Sequence, residues 1–324
     1  MGDFLMHKFF PNSHLNVIEN AGHWVHAERP YEFIQIVSTF LDCPRVCIFS
    51  LFHVVLCSIL FIDIIAMNFL TEKIRFFSLS HRFSRRMPHS PQNYAEKLLL
   101  SHEHLKNKND TQNNIPIVIK HGLLGSKSNW RSIARSLHRS GREVLTLDMR
   151  NHGHSLASPF MDYDIMAEDV LHTVKKQVGD TQFDLVGHSM GGKVAMMVAL
   201  KQPNMVRKAV IVDILPIGTH PLDVSETKNI VLALRDIQID STKPLPEVRK
   251  SVVAQLKNKI SDDMVANWLA TNLDWNPEKG VFWKCHVENL HSAIENIFDF
   301  PKVSFPPFEG PVLFIQGEKS RHMA

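Results

Sequence analysis

The chain has 324 residues, of which 44% are apolar and 21% are charged, a composition typical of soluble globular proteins. This length is sufficient for one large domain, or for one domain with appendages. The net charge of +3 is too small to predict a nucleic-acid partner. Because the sequence contains no H-E-x-x-H motif and no paired C-x-x-C motif, it predicts no metal site.

Residues 1–42 are predicted to form a strand, a polar turn and a helix. Apolar and polar residues alternate over 15–18, as in a half-buried strand, and the turn that follows contains His23. The helix is predicted to begin at Pro30, because proline is favoured in the first helical turn. It has one apolar stripe, formed by Phe33, Ile34, Val37 and Leu41.

Residues 43–90 form a spacer with two compositions. The stretch 46–66 is almost entirely apolar and long enough to cross a bilayer, so it is a candidate membrane span. A buried helix, or sequence never selected to fold, are the other interpretations. The stretch 67–90 contains five lysines and arginines but one acidic residue, and so resembles a mitochondrial transit peptide. A solvated basic linker is the alternative interpretation.

The remaining residues, 91–324, are interpreted as one α/β body. Strands are predicted at 117–120, 143–149, 183–186 and 209–214, and helices at 129–138, 163–178 and 193–200. This alternation predicts a mostly parallel, doubly wound sheet with helices on both faces. A last buried strand is predicted at 311–315, and no covering helix follows it.

A mostly helical region at about 215–307 interrupts the alternation. Its helices are predicted at 225–239, 245–259, 262–272 and 287–300. An insertion at this point covers the strand ends, where ligands bind in open α/β sheets. The region is therefore interpreted as a cap.

The sequence Gly187-His188-Ser189-Met190-Gly191 has the G-x-S-x-G spacing of a nucleophile turn between a strand and a helix. The turn is so tight that a Cβ atom on either glycine is expected to collide with neighbouring backbone. Ser189 is therefore the predicted nucleophile. The N–H of Met190 lies at a helix N-terminus and is a predicted oxyanion donor.

Three further motifs complete the pattern: H-G-L-L-G-S at 121–126, D-M-R-N-H-G-H-S at 148–155 and A-G-H-W-V-H-A-E-R-P at 21–30. Together with G-H-S-M-G-G-K at 187–193, they closely resemble the family of α/β-hydrolase domain-containing protein 11 and its bacterial esterase relatives. The resemblance covers about 90–320 and, separately, 5–42. It implies the α/β-hydrolase fold.

The resemblance also implies a function. It indicates a serine hydrolase that cleaves carboxylic esters, with lipid or acylglycerol esters such as diacylglycerol as substrates and with no cofactor. Membrane contact through 46–66 would accompany this activity if that stretch spans a bilayer. Mitochondrial localisation is implied as well. Because the leader-like stretch 67–90 is internal, a membrane-associated or cytoplasmic location is the alternative.

The other catalytic groups are predicted from position and from the resemblance. The N–H of Leu123, in the turn after a strand, is the second oxyanion donor. His23, in A-G-H-W, is the base that takes the Ser189 proton. Asp213 is the preferred acid to orient His23, because it lies at the carboxyl edge of the sheet. Glu288 aligns with an acidic position in the family and is the alternative acid. Five nearby residues are interpreted as structural: Trp24, Trp130, Asp148, His152 and His154.

The order of the segments is unusual. In the family the A-G-H-W segment lies at the carboxyl end, whereas here it lies at the amino end. The chain is interpreted either as a join of two neighbouring gene copies or as a circular permutant in which residues 1–42 dock onto the body. Docking between two chains would produce a domain-swapped self-association. If His23 does not reach Ser189, the alternative function is a catalytically inactive binding or scaffold chain.

Overall fold

The computed structural model describes residues 2–43, 96–107, 115–218 and 221–323. The candidate membrane span at 46–66 and the leader-like stretch at 67–90 lie outside these ranges. None of the helices within the ranges has the length and apolar character needed to cross a bilayer.

The described residues form one large sheet and one small hairpin. The strands are β1 (Ser13–Ile18), β2 (His102–Leu105), β3 (Ile117–Lys120), β4 (Val144–Leu147), β5 (Phe183–His188), β6 (Val206–Val212), β7 (Leu273–Asn276), β8 (Gly280–Trp283) and β9 (Val312–Gly317). The large sheet has the order β1-β9-β6-β5-β3-β4-β2, and its pairings are parallel except between β2 and β4. The remaining two strands, β7 and β8, pair with each other.

Helices connect the strands and build the cap. They are α1 (Gly2–Phe9), α2 (Val25–Glu28), α3 (Pro30–Asp42), α4 (Arg131–Arg139), α5 (Tyr163–Val178), α6 (Met190–Lys201), α7 (Pro221–Arg235), α8 (Leu245–Lys257), α9 (Asp263–Leu269) and α10 (Val287–Phe298). The last four lie in the region interpreted as a cap, as does the hairpin of β7 and β8.

Both faces of the sheet are covered, as its continuously apolar strands predict. Successive side chains of a strand point to opposite faces. In β3, Val118 belongs to a buried cluster that includes residues of α5, α6 and the cap helices. Its neighbours Ile117 and Ile119 belong to a second cluster that includes residues of α3 and α4. The predicted α/β architecture is therefore confirmed.

The amino-terminal elements pack onto this sheet. The described residues before 44 and after 95 form one compact unit. β1 pairs in parallel with β9 along its whole length, on the side of β9 that faces away from β6. In the apolar stripe of α3, Phe33, Val37 and Leu41 are fully buried in the second cluster, and Ile34 is half-buried against it. The strand predicted at 311–315, which is β9, therefore has β1 as its neighbour on the outer side.

Several elements differ from the sequence expectation. α1 and β2 are additional. β2 has the polar sequence H-E-H-L and is a partly exposed edge strand, so it lacks the apolar pattern that predicts a strand. The cap contains a β-hairpin as well as helices. Strand β6 ends at Val212, so Asp213 follows the strand, with φ of 55°, and does not lie within it.

Candidate active site

Ser189 lies in the sharp turn between β5 and α6. Its φ of 51° is strained for a residue with a side chain, and such strain concentrates at functional sites. A Cβ atom on Gly187 would lie 2.2 Å from the carbonyl oxygen of Gly191. One on Gly191 would lie 2.5 Å from the carbonyl oxygen of His121. Both glycines are therefore required by close backbone contacts, as the motif predicts.

His23 lies in a loop after β1 that Glu28 organises. The Glu28 carboxylate accepts hydrogen bonds from the backbone N–H groups of Gly22, at 2.8 Å, and Trp24, at 3.2 Å. The Nδ1 atom of His23 lies 2.6 Å from Oδ2 of Asp213. An ionised Asp213 accepts a hydrogen bond from Nδ1–H, so the ring proton stays on Nδ1, and Nε2 of the same ring is unprotonated and able to act as a base.

Asp213 is fully buried beside the carboxyl end of β5. Its Oδ1 accepts a hydrogen bond from the N–H of Gly317 at 3.0 Å, and its Oδ2 accepts one from the hydroxyl group of Ser320. Burial raises the pKa of Asp213, although these two donors favour the ionised form. Glu288, the alternative acid, is exposed in the first turn of α10. Within the described ranges, the carboxylate at hydrogen-bond distance from His23 is that of Asp213.

Two backbone N–H groups lie beside Ser189 without acceptors of their own. Met190 is the first residue of α6, and Leu123 lies in the turn after β3. In the part of the chain that the structure describes, neither N–H has a hydrogen-bond acceptor. Gly122 lets the two segments approach closely, because a Cβ atom there would lie 3.3 Å from Cβ of Ser189. Unpaired donors next to a serine are suited to hold an oxyanion.

The sequence and the fold of this chain are similar to those of known proteins. A family model described as the α/β-hydrolase fold matches residues 115–246. A putative esterase/lipase of Haemophilus influenzae is 31% identical over 211 residues, which are 65% of this chain and 69% of that relative. This chain belongs to the α/β-hydrolase family. A solved structure of a marine microorganism esterase is 31% identical to this chain and matches it with a TM-score of 0.63. The match covers 70% of this chain and 84% of the esterase chain.

The similarity extends to the family that the motifs indicated. The sn-1-specific diacylglycerol lipase ABHD11 of Danio rerio is 40% identical over 211 residues, which are 64% of this chain. The resemblance to α/β-hydrolase domain-containing protein 11 is therefore confirmed. The chain spans 65% of the length of that relative, just under two thirds.

In this α/β-hydrolase chain, two further histidines surround His23. The ring centroid of His322 lies 4.0 Å from that of His23, and the ring centroid of His188 lies 4.6 Å from it. Burial lowers the pKa of His23 well below its ordinary value, and charges on His322 and His26 lower it further. Burial lowers the pKa of His188 to about 3, so this neutral ring donates through Nε2–H to the carbonyl oxygen of His23, at 2.8 Å. No sequence motif contains His322, because its contact with His23 arises only in the folded chain.

Three of the residues interpreted as structural hold neighbouring segments of the chain or pack in the core. Nε2 of the buried His152 accepts the N–H of Leu124 at 3.0 Å. Asp148 accepts the N–H of Lys127 at 2.7 Å and forms an ion pair with its ammonium group. Trp130 is buried, with its ring in the second cluster. None of these hydrogen bonds and ion pairs involves Ser189 or His23.

A cavity of about 690 Å³ lies in front of Ser189. His23 and Leu123 line it, as do apolar residues of the cap: Ile230, Val265, Trp268, Ile297 and Phe298. The cap residues Phe282, Trp283 and Ile294 do not line it. Over the ranges that the structure covers, no group of His, Cys, Asp and Glu residues is arranged to hold a metal ion.

Proposed function

We propose that this chain is a serine esterase that cleaves carboxylic esters through an acyl-enzyme. Ser189 is the nucleophile, His23 is the base, and Asp213 orients His23. The observation that carries the proposal is the 2.6 Å contact between His23 and Asp213, because it leaves an unprotonated Nε2 in the cavity that Ser189 lines. The inactive binding or scaffold alternative is not favoured, since the similar proteins are named as lipases and esterases.

The reaction has two half-reactions. In the first, Nε2 of His23 accepts the hydroxyl proton while Oγ of Ser189 attacks the ester carbonyl carbon. The N–H groups of Leu123 and Met190 stabilise the resulting oxyanion. The ester C–O bond then breaks, and the alcohol leaves with the proton from His23. In the second half-reaction, a water molecule gives a proton to His23 and attacks the acyl carbon. The bond between that carbon and Oγ of Ser189 then breaks, Oγ takes the proton from His23, and the carboxylic acid leaves.

The substrate class that we propose is an acylglycerol or a similar lipid ester. The apolar residues that the cap contributes to the cavity are suited to an acyl chain. The name of the Danio rerio relative also supports this class, as an sn-1-specific diacylglycerol lipase. We therefore expect esters of medium and long acyl chains to be cleaved faster than acetyl esters.

The activity depends on residues 1–42, which contain His23. The parallel pairing of β1 with β9 and the buried stripe of α3 support a permuted arrangement in which this segment completes the site. A join of two gene copies is the alternative origin of the sequence. Membrane contact through 46–66, domain-swapped self-association and mitochondrial localisation stay predictions.

The test compares the full chain with Ser189→Ala. Acetyl, octanoyl and palmitoyl esters of p-nitrophenol and dioleoylglycerol are offered to both proteins, and product release is followed. We expect turnover by the full chain, faster with the longer acyl groups, and background rates with Ser189→Ala. Equal rates in the two proteins would contradict the proposed function, and a preference for acetyl esters would contradict the substrate class alone.

A further inference from the structure

The peptide group that carries the Leu123 N–H is held through its carbonyl oxygen. This oxygen, on Gly122, accepts hydrogen bonds from Nδ1–H of His121 at 2.7 Å and from the N–H of Gly125 at 3.0 Å. Nε2 of His121 accepts the N–H of Met149 at 3.0 Å, which fixes the proton of this ring on Nδ1. Because C=O and N–H point in opposite directions in a trans peptide, fixing the carbonyl also fixes the direction of the Leu123 N–H.

The next residue, Leu124, is held on both sides by distant side chains. Its φ of 59° is a conformation that a leucine keeps only when its surroundings impose it. Its N–H donates to Nε2 of His152 at 3.0 Å. Its carbonyl oxygen accepts the side-chain amide of Asn272 at 2.8 Å. Both partners are buried, so neither hydrogen bond competes with bulk water.

Asn272 belongs to the cap, in a short 3₁₀ turn (Ala270–Asn272) between α9 and β7. The cap also holds the loop that supports His152. The N–H of His286 donates to the carbonyl oxygen of Asn151 at 2.9 Å, and the side chain of Asn289 donates to Oδ1 of Asn151 at 3.0 Å. The cap is thus connected to the turn that contains Leu123 and Leu124 directly through Asn272 and indirectly through the loop of Asn151 and His152.

We propose that Asn272 is a positioning residue through which the position of the cap affects the geometry of the oxyanion hole. While its amide holds Leu124, the adjacent Leu123 N–H points toward the ester carbonyl oxygen. Without that donor, the peptide group between Leu124 and Gly125 is no longer held, so the Gly125 N–H leaves the Gly122 carbonyl oxygen and the direction of the Leu123 N–H is less well fixed. This inference rests on the proposed function, in which Leu123 is an oxyanion donor. Since an oxyanion forms only in the transition state, lost positioning lowers kcat and leaves KM nearly unchanged.

The test replaces Asn272 with aspartate, which keeps the shape and removes the donor. The matched control is Asn267→Ala, because Asn267 is also a cap asparagine but donates to Asp263 within its own helix, at 2.7 Å. Loss of a whole oxyanion donor costs about 100- to 1,000-fold, so we expect kcat of Asn272→Asp to fall about 10- to 100-fold, with KM within about twofold. The inhibition constant of a trifluoromethyl ketone should rise in the same proportion as kcat falls, and the control should match the wild type.

A second variant, Asn272→Ala, is available if the aspartate variant does not fold. If Asn272→Asp does not fold, as judged by circular dichroism, Asn272→Ala is measured by the same criteria. Unchanged kcat in a folded Asn272 variant of an active chain would overturn the inference alone, as would a loss confined to KM or to thermal stability. A wild-type chain without Ser189-dependent turnover would overturn the proposed function and, with it, the role of Asn272.

Discussion

Replacing Asp213 with asparagine tests which acid orients His23. The backbone N–H of Gly317 can only donate, and it faces Oδ1 of Asp213 at 3.0 Å. The amide oxygen of asparagine must therefore occupy the Oδ1 position, which places its NH₂ group at the Oδ2 position, next to Nδ1 of His23. A donor there requires Nδ1 to accept, so the ring proton moves to Nε2. In that tautomer, His23 cannot take the proton of Ser189.

We expect this wrong tautomer to lower kcat by roughly 1,000- to 10,000-fold, or about 4–5.5 kcal/mol in the activation free energy. The assay is ester hydrolysis at neutral pH with purified variants. The control is Glu288→Gln, which changes an exposed carboxylate outside the cavity and should keep kcat within about twofold, as surface changes usually do. A small effect of Asp213→Asn, or a large effect of Glu288→Gln, would refute the assignment of Asp213.

Two other predictions concern packing and pH dependence. Phe33→Ala removes a fully buried ring from the amino-terminal segment, so the free energy of unfolding measured in urea should fall by about 3–5 kcal/mol. Tyr31→Ala, on the same helix but 86% exposed, should change it by less than about 0.5 kcal/mol. His322→Gln removes a charge that lowers the pKa of His23, so this pKa should rise. Because His23 must be neutral to act as a base, the acidic limb of the kcat/KM profile should move to higher pH.

Two results would contradict these predictions. If Phe33→Ala were as stable as the wild type, the amino-terminal segment would not be packed on the body in solution. If the acidic limb stayed in place or moved to lower pH in His322→Gln, the charge on His322 would not influence His23. In that case its carboxylate neighbour Asp223, 3.5 Å from the His322 ring, would already neutralise it.

Features that depend on local chemistry could be predicted from the sequence. The strand, glycine and serine pattern around Ser189 specifies its turn, because the clashes that require glycine lie within a few residues or in the adjacent strand. The helix at 163–178 has the predicted bounds, because an aspartate cap begins it and a glycine ends it. The preference for Asp213 over Glu288 rests on strand order, since Asp213 comes at the carboxyl edge of the sheet, and the catalytic role of Asp213 stays a prediction.

Features that depend on distant contacts could not be predicted. Strand β2 has no apolar alternation, because it lies at an edge and is only partly buried. His322 and Asn272 are ordinary polar residues in the sequence. Their importance arises because the fold brings His322 against the ring of His23, and Asn272 against the carbonyl oxygen of Leu124. Neither contact has a sequence spacing that a motif could record.

Ser189 and the amino-terminal His23 are proposed to act in one site. The most direct measurement is the rate of labelling of the full chain by a fluorophosphonate probe, compared with Ser189→Ala and His23→Ala. We expect labelling of the wild type, none of Ser189→Ala, and labelling of His23→Ala that is slower by about 1,000-fold or more. Labelling of His23→Ala at the wild-type rate would show that the base is not His23.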